Sequence, residues 1–189
     1  MADTLQIVEV PALHANRENV ADYGLFIGTD LPGTGLTASY YKGTVEEGVS
    51  VPFECQGSAV VRSWRIHKRS SEVTWLERHL RTTQVFIGLG NQPFALVLGK
   101  PSHGQGENRP RVREVRCFIF QPGHGIMLHK GTWHDVPRCV NESVTVLTIG
   151  SPAVAAAPAS TAEERETDQG DVYKINVKQR VGKTLLVKV

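Results

Sequence analysis

From residue 59 onward the apolar positions come in short β-branched or aromatic runs rather than at helical spacing. AVVRSWRIHKR, QVFIGLG, FALVLG, VREVRCFIF, GIMLH and SVTVLTIG follow one another, separated by Gly88, Gly90, Asn91, Pro93, Gly99, Pro101, Pro122, Gly123, Gly125 and Gly131. Such runs, bounded by turn residues, predict strands closing into a sandwich or barrel, because a period of two places alternate side chains on one buried face. Residues 20–50, punctuated by Gly24, Gly28, Pro32, Gly33, Gly35, Gly43 and Gly48, predict short strands and turns. Helix is expected only around 12–23, where Asn16 or Asp22 could cap a short one. The expected class is all-β, mainly antiparallel, with little helix.

Two segments break the rhythm. KPSHGQGENRPRVR, residues 100–113, is a Gly-, Pro- and Arg-rich excursion, either a cover for a barrel mouth or a solvated loop. Residues 152–171 lose aromatics and gain Ala, Pro, Thr and Glu, as linkers do. The expected organisation is a barrel with N-terminal strands over 1–151, a linker over 152–171, and a terminal strand or hairpin over 172–189. That last element would pack on its own barrel or on a partner subunit.

Composition narrows the partners. In 189 residues, 40% hydrophobic content supports a real core, and 21 Lys and Arg against 19 Asp and Glu leave a net charge of only +2. No electrostatic surplus recommends nucleic acid, and no apolar run approaches a membrane span. The opening MADTLQIVEV has neither the basic start nor the apolar stretch of a secretory signal. Cys55, Cys117 and Cys139 lie far apart without a CxxC pair, which argues against a disulfide framework or zinc knot and for a reducing cytoplasm.

The chemistry concentrates in two places. Five of the seven histidines fall between Leu76 and Asp135. In Glu77-Arg78-His79, a strand would project Glu77 and His79 to one side, and Gln84 can rejoin them after a turn. In His129-Lys130-Gly131-Thr132-Trp133-His134, Gly131 permits a tight turn that delivers His134 to the next strand. Alternation in AVVRSWRIHKR puts Arg62 and Trp64 on one face and Arg65 and His67 on the other, and either arginine could grip a carboxylate if its face is inward. Lys130, beside the histidines, is a further possibility.

These segments resemble cupin barrels, whose HxH…E and PxGxxH motifs are here filled by Glu77, His79, Gln84, His129, Gly131 and His134. More closely, WLERHLRTTQVFIGL with PGHGIMLHKGTWHD is similar to the ureidoglycolate lyase family, over roughly residues 60–151. The resemblance implies a cupin-like double-stranded β-helix barrel and cleavage of ureidoglycolate to glyoxylate and urea. For that reaction the expected catalytic residues are Glu77, His129 and His134, and the expected substrate contacts are Gln84 and Trp133, with Arg65 and Lys130 from the reading of the residues above. Glu77, His79, Gln84 and His134 would be the ligands of any divalent metal, with nickel, manganese, zinc and iron all compatible with N and O donors. Alternatively His129 or Glu77 acts directly as base without metal. A homodimer is the expected assembly. Gly88, Leu128 and Asp135 depart from the family pattern and leave open a metal cupin acting on another small acid, or a non-catalytic module that binds a small ligand.

Overall fold

A computed structural model describes residues 6–29, 42–157 and 164–189. In chain order the strands are β1 (Gln6–Val10), β2 (Ala12–His14), β3 (Gly24–Ile27), β4 (Val60–His67), β5 (Glu72–Val73), β6 (Trp75–Arg78), β7 (Gln84–Leu89) and β8 (Phe94–Gly99). They continue with β9 (Arg116–Phe120), β10 (Gly125–Leu128), β11 (Trp133–His134), β12 (Arg138–Cys139) and β13 (Ser143–Gly150). Helix α1 (Pro152–Ala156) precedes β14 (Thr167–Gln169) and β15 (Val172–Asn176), and helix α2 (Val177–Val181) precedes β16 (Lys183–Val187). Each of the six apolar runs carries one of the long strands, so the all-β, cupin-like expectation holds.

A five-stranded sheet, β3-β10-β7-β13-β4, faces an eight-stranded sheet, β14-β15-β6-β11-β8-β9-β2 with β12 also paired to β8, and a third sheet, β1-β16-β5, backs the second. Apart from the parallel β1–β16 and β2–β9 ladders, the described pairs of strands are antiparallel. The layering follows from alternation. On β8, Phe94, Leu96 and Leu98 enter the core between the two large sheets with Phe118, Phe120, Ile126 and Val146. Ala95 and Val97, pointing the other way, join Leu76, Cys117, Trp133, Ile175 and Leu185 in a second core against the backing sheet. Burial of each fully enclosed leucine contributes about 1.5–3 kcal/mol.

Residues 12–23 are not helical: Ala12–His14 is a strand, and Asn16 and Asn19 each accept the other's backbone N–H, at 2.8 and 2.9 Å. These short amides form a local turn instead of capping a helix. Among the described residues both α-helices lie in the C-terminal third, where the Ser151 side chain accepts the Val154 N–H and the Asn176 side chain accepts the Gln179 N–H. The stretch expected as a linker carries α1 and β14 at its two ends, and 158–163 lies outside the described residues, as do Pro32, Gly33 and Gly35 upstream. The terminal segment packs on its own chain, β15 against β6 and β16 between β1 and β5. Among the described residues no helix is long and apolar enough to cross a membrane.

Candidate active site

Strands β15, β6 and β11 lie side by side, and their register sets Lys174 opposite Glu77 on one flank and His134 opposite Glu77 on the other. Residues directly opposed in a ladder share a face, so Lys174, Glu77 and His134 form one row. Trp75 shares that face, while Leu76 and Arg78 turn into the second core, Arg78 lying 4.6 Å from the Trp133 ring centre and 5.1 Å from that of Tyr173. The other sheet contributes Arg62 and Trp64 from β4, Gln84 and Phe86 from β7, and Thr148 from β13. Together they enclose a cavity of about 290 Å³ between the sheets, with Arg69, Asp135 and Val154 also in its wall.

His79, just beyond β6, sits behind Glu77 rather than in the cavity wall, and is only 3% exposed. The turn carrying His134 is tied to it, since the Gly131 N–H donates to the His79 carbonyl at 2.6 Å. Gly131 has φ +82, and a Cβ there would collide with the His103 ring, so this close turn requires glycine. His79 Nδ1 donates to the Asp171 carbonyl at 2.8 Å, and His134 Nδ1 to the Thr132 carbonyl at 3.1 Å. A carbonyl only accepts, so each Nδ1 carries the hydrogen, and a ring protonated there alone keeps a bare lone pair on Nε2. Both Nε2 atoms, and Gln84 Oε1, are buried without a hydrogen-bond partner. Glu77 Oε1 lies 3.4 Å from His134 Nε2 and 3.8 Å from His79 Nε2.

The hairpin bearing Lys174 also fixes His79. Asp171, at its turn, offers its carbonyl to the imidazole and its Oδ1 to the N–H groups of Leu80 and Arg81, at 2.9 and 2.8 Å. Partners of this kind orient an imidazole and raise its capacity to donate its remaining lone pair.

Electrostatics sharpens the picture. Burial pushes the Glu77 carboxyl up, but the adjoining His134 imidazole, with the charges of His134, His79 and Lys174, more than reverses this and holds it at about 2. Burial pushes the His79 imidazole below its ordinary 6.5, with Glu77 opposing. At neutral pH the site therefore offers an anionic carboxylate and a neutral His79 ring. The donor atoms of Glu77, His79 and His134 lie within 4.8 Å of one another. Two imidazole nitrogens without hydrogen-bond partners and a carboxylate, with Gln84 in the same cavity wall as Glu77 and His134, make a donor set that fits a divalent cation.

Of the residues expected from sequence, Glu77, His79 and His134 come together, Gln84 lines the same cavity as Glu77 and His134, and four others do not. His129 ends outside the cavity, its ring 3.1 Å from the Ala21 carbonyl. Lys130 pairs with Glu54. Trp133 faces the second core, its indole N–H donating to Ser102 Oγ at 3.0 Å, because its neighbour His134 takes the cavity face. Arg65 lies on the exposed face of β4, so Arg62 is the arginine that reaches the cavity. Of the departures from the family pattern, Gly88 packs on Phe94 and Leu128 fills the first core. Only Asp135 borders the cavity, where it accepts from Arg69 and Arg138, each at 2.9 Å.

Lys174, Arg69 and Asp171 were missed. The alternation of Val172 and Lys174 announces a strand with one basic inward position, but nothing local reveals that its ladder partner is β6. Loop 100–113 supplies no cavity residue; its Glu107 carbonyl and Asn108 side chain hold Arg78 at the back of the site.

The chain is similar in sequence to known proteins. Ureidoglycolate lyase from Azotobacter vinelandii (strain DJ / ATCC BAA-1303) is 32% identical over 62 residues, which is 33% of this chain and 34% of that protein. Ureidoglycolate lyase from Chelativorans sp. (strain BNC1) is 32% identical over 74 residues, 39% of this chain and 41% of that one. The chain thus spans between a third and two fifths of the length of these curated relatives. The sequence model described as ureidoglycolate lyase matches residues 36–177, reaching beyond the resemblance read over 60–151 to include β15 and Lys174. With three quarters of its length matched, the chain belongs to the ureidoglycolate lyase family.

Proposed function

We propose that this protein cleaves ureidoglycolate to glyoxylate and urea, acting as a cytoplasmic homodimer. The observation that carries the reading is the row Lys174–Glu77–His134 across three adjacent strands, in the wall of a cavity between the sheets. The substrate is a carbinolamide whose central carbon bears a hydroxyl, a carboxylate and the ureido nitrogen. Its breakdown needs an acceptor for the hydroxyl proton, a donor for the departing nitrogen and positive charge for the carboxylate.

His134 lines the cavity and its buried Nε2 has no hydrogen-bond partner, so it takes the hydroxyl proton as the C–O bond becomes a carbonyl and the C–N bond breaks. The same nitrogen returns the proton to the leaving nitrogen, giving neutral urea with no net proton change. Glu77, held anionic 3.4 Å away, stabilises the imidazolium in between. A carboxyl titrating near 2 is a weak base, which assigns Glu77 to charge stabilisation rather than proton abstraction. Trp64, Trp75 and Phe86 wall the cavity with apolar surface and limit water around the charges.

Glu77, His79 and His134, with Gln84 Oε1 alongside, would hold a nickel, manganese, zinc or iron ion, which when bound lowers the pKa of a hydroxyl on it. Ligation and proton transfer are alternative uses of one His134 lone pair. The homodimer is supported by β4, an edge strand of the five-stranded sheet with Val61 exposed, and the compartment by free Cys55, Cys117 and Cys139. The test is incubation of the full chain with ureidoglycolate, following urea and glyoxylate. Equal release of both supports the reading, and intact substrate at saturating protein overturns it.

A further inference from the structure

Among the described residues three cationic side chains line the cavity, Arg62, Arg69 and Lys174, and two of them are committed elsewhere. The Arg62 guanidinium donates to the Ala155 carbonyl at 2.8 Å and lies 5.0 Å from the Trp64 ring centre. Arg69 donates to Asp135 Oδ2 at 2.9 Å and to the Val136 carbonyl at 2.6 Å. Among the described residues no carboxylate lies within 4.0 Å of the Lys174 ammonium, which rests 5.1 Å from the Trp75 ring centre, with its stem on the cavity side of β15.

We propose that Lys174 is the residue that seats the substrate carboxylate, an inference that rests on the reading of the site as one for a small α-hydroxy acid. Adjacent strands are about 4.8 Å apart, so Lys174 and His134 stand one strand to either side of Glu77. In the substrate the carboxylate carbon is bonded directly to the carbinol carbon. A molecule lying across the row therefore gives its carboxylate to the flexible ammonium and its hydroxyl to His134 Nε2. Repulsion from Glu77 keeps the carboxylate on the Lys174 side, which fixes the direction of binding. The Trp75 face holds the ammonium in place without neutralising it, because a ring attracts a cation without supplying a countercharge. Lys130, the lysine adjacent to the histidines in sequence, is excluded by its pairing with Glu54 outside the cavity.

The test compares the full chain with its Lys174→Gln and Lys174→Arg variants, using glyoxylate as the carboxylate probe in calorimetric titration and ureidoglycolate in turnover. Loss of a charge-assisted hydrogen bond predicts glyoxylate affinity and 1/KM weaker by roughly ten- to a hundredfold in Lys174→Gln, with kcat changed far less and Lys174→Arg recovering much of the loss. Circular dichroism identifies a variant that fails to fold, in which case the arginine variant alone decides: glyoxylate binding near the wild-type level supports the seat, and its absence in a folded arginine variant overturns it. Equal glyoxylate affinity in wild type and Lys174→Gln overturns the proposal, as does a wild type that binds no glyoxylate. A wild type that binds glyoxylate in a Lys174-dependent way yet releases no urea supports the seat while removing the lyase reading. Urea release with an unchanged KM in Lys174→Gln does the reverse.

Discussion

Glu77 and His134 are directly opposed on β6 and β11, with Oε1 and Nε2 3.4 Å apart and the Nδ1 of the same ring bonded to the Thr132 carbonyl. The backbone bond fixes which nitrogen is bare, and the carboxylate lowers the cost of protonating it. A proton can thus be held on His134 without leaving a buried net charge.

Replacing His134 with Gln removes that lone pair while keeping a polar side chain of similar reach. The expected result is a fall in kcat of about two to four decades, with the far-ultraviolet dichroism of the wild type retained. A variant with wild-type kcat removes His134 from proton transfer.

His129 gives the opposite result. Its ring bonds the Ala21 carbonyl outside the cavity, so His129→Ala should cost about 1 kcal/mol of stability and leave kcat unchanged. Denaturant unfolding together with urea release measures both, and a large loss of kcat at intact stability contradicts the placement.

These two histidines show where sequence stopped being informative. Strands β4, β7, β8, β9, β10 and β13 were legible because period-two alternation and turn residues are local signals. Glu77, His79 and His134 were legible because alternation along a strand, the position just past its end and a glycine turn are also local. His129 fills a slot in the motif, but β10 has ended at Leu128 and the chain there turns toward Ala21. In β4 alternation separated Arg62 from Arg65 without saying which face is inward, a matter decided by the β13–β4 ladder. Lys174 and Asp171 depend on long-range pairing of β15 with β6, and no residue within the C-terminal segment encodes its partner.

Acid should destabilise the protein in two stages. Unfolded, Glu77 titrates near 4.5 and His79 near 6.5, and in the fold both bind protons less readily, Glu77 not until about 2. The unfolded chain therefore takes up more protons as pH falls. Stability from these groups is complete above 6.5, declines first as pH drops through the lowered His79 value, and declines again between 4.5 and about 2 as Glu77 protonates. Melting temperatures of wild type and Glu77→Gln across this range check it: the variant should lose less below pH 4.5, and parallel curves contradict the assignment.

Asp171 should matter to both stability and rate. Asp171→Ala frees the N–H groups of Leu80 and Arg81, at an expected cost of about 1–3 kcal/mol, and loosens the turn whose carbonyl orients His79. Asp171→Asn, which keeps the Oδ1 acceptor, should restore most of both. Equal effects of the two substitutions in unfolding and turnover assays would show that the acceptor oxygen is not what matters.

A divalent cation that binds the folded site alone should raise the melting temperature, by ligand linkage. Nickel, manganese, zinc or iron is expected to stabilise the wild type at one ion per chain, and His79→Ala should abolish the effect because it deletes an unpartnered Nε2. Equal stabilisation of both proteins places the ion elsewhere.

The most direct test of the account is kcat/KM for urea release from ureidoglycolate, measured side by side for wild type and Glu77→Gln. The substitution preserves shape and removes only the negative charge between Lys174 and His134. The account predicts equimolar urea and glyoxylate from the wild type and a fall of about a hundredfold or more in the variant. A variant as fast as the wild type would contradict it.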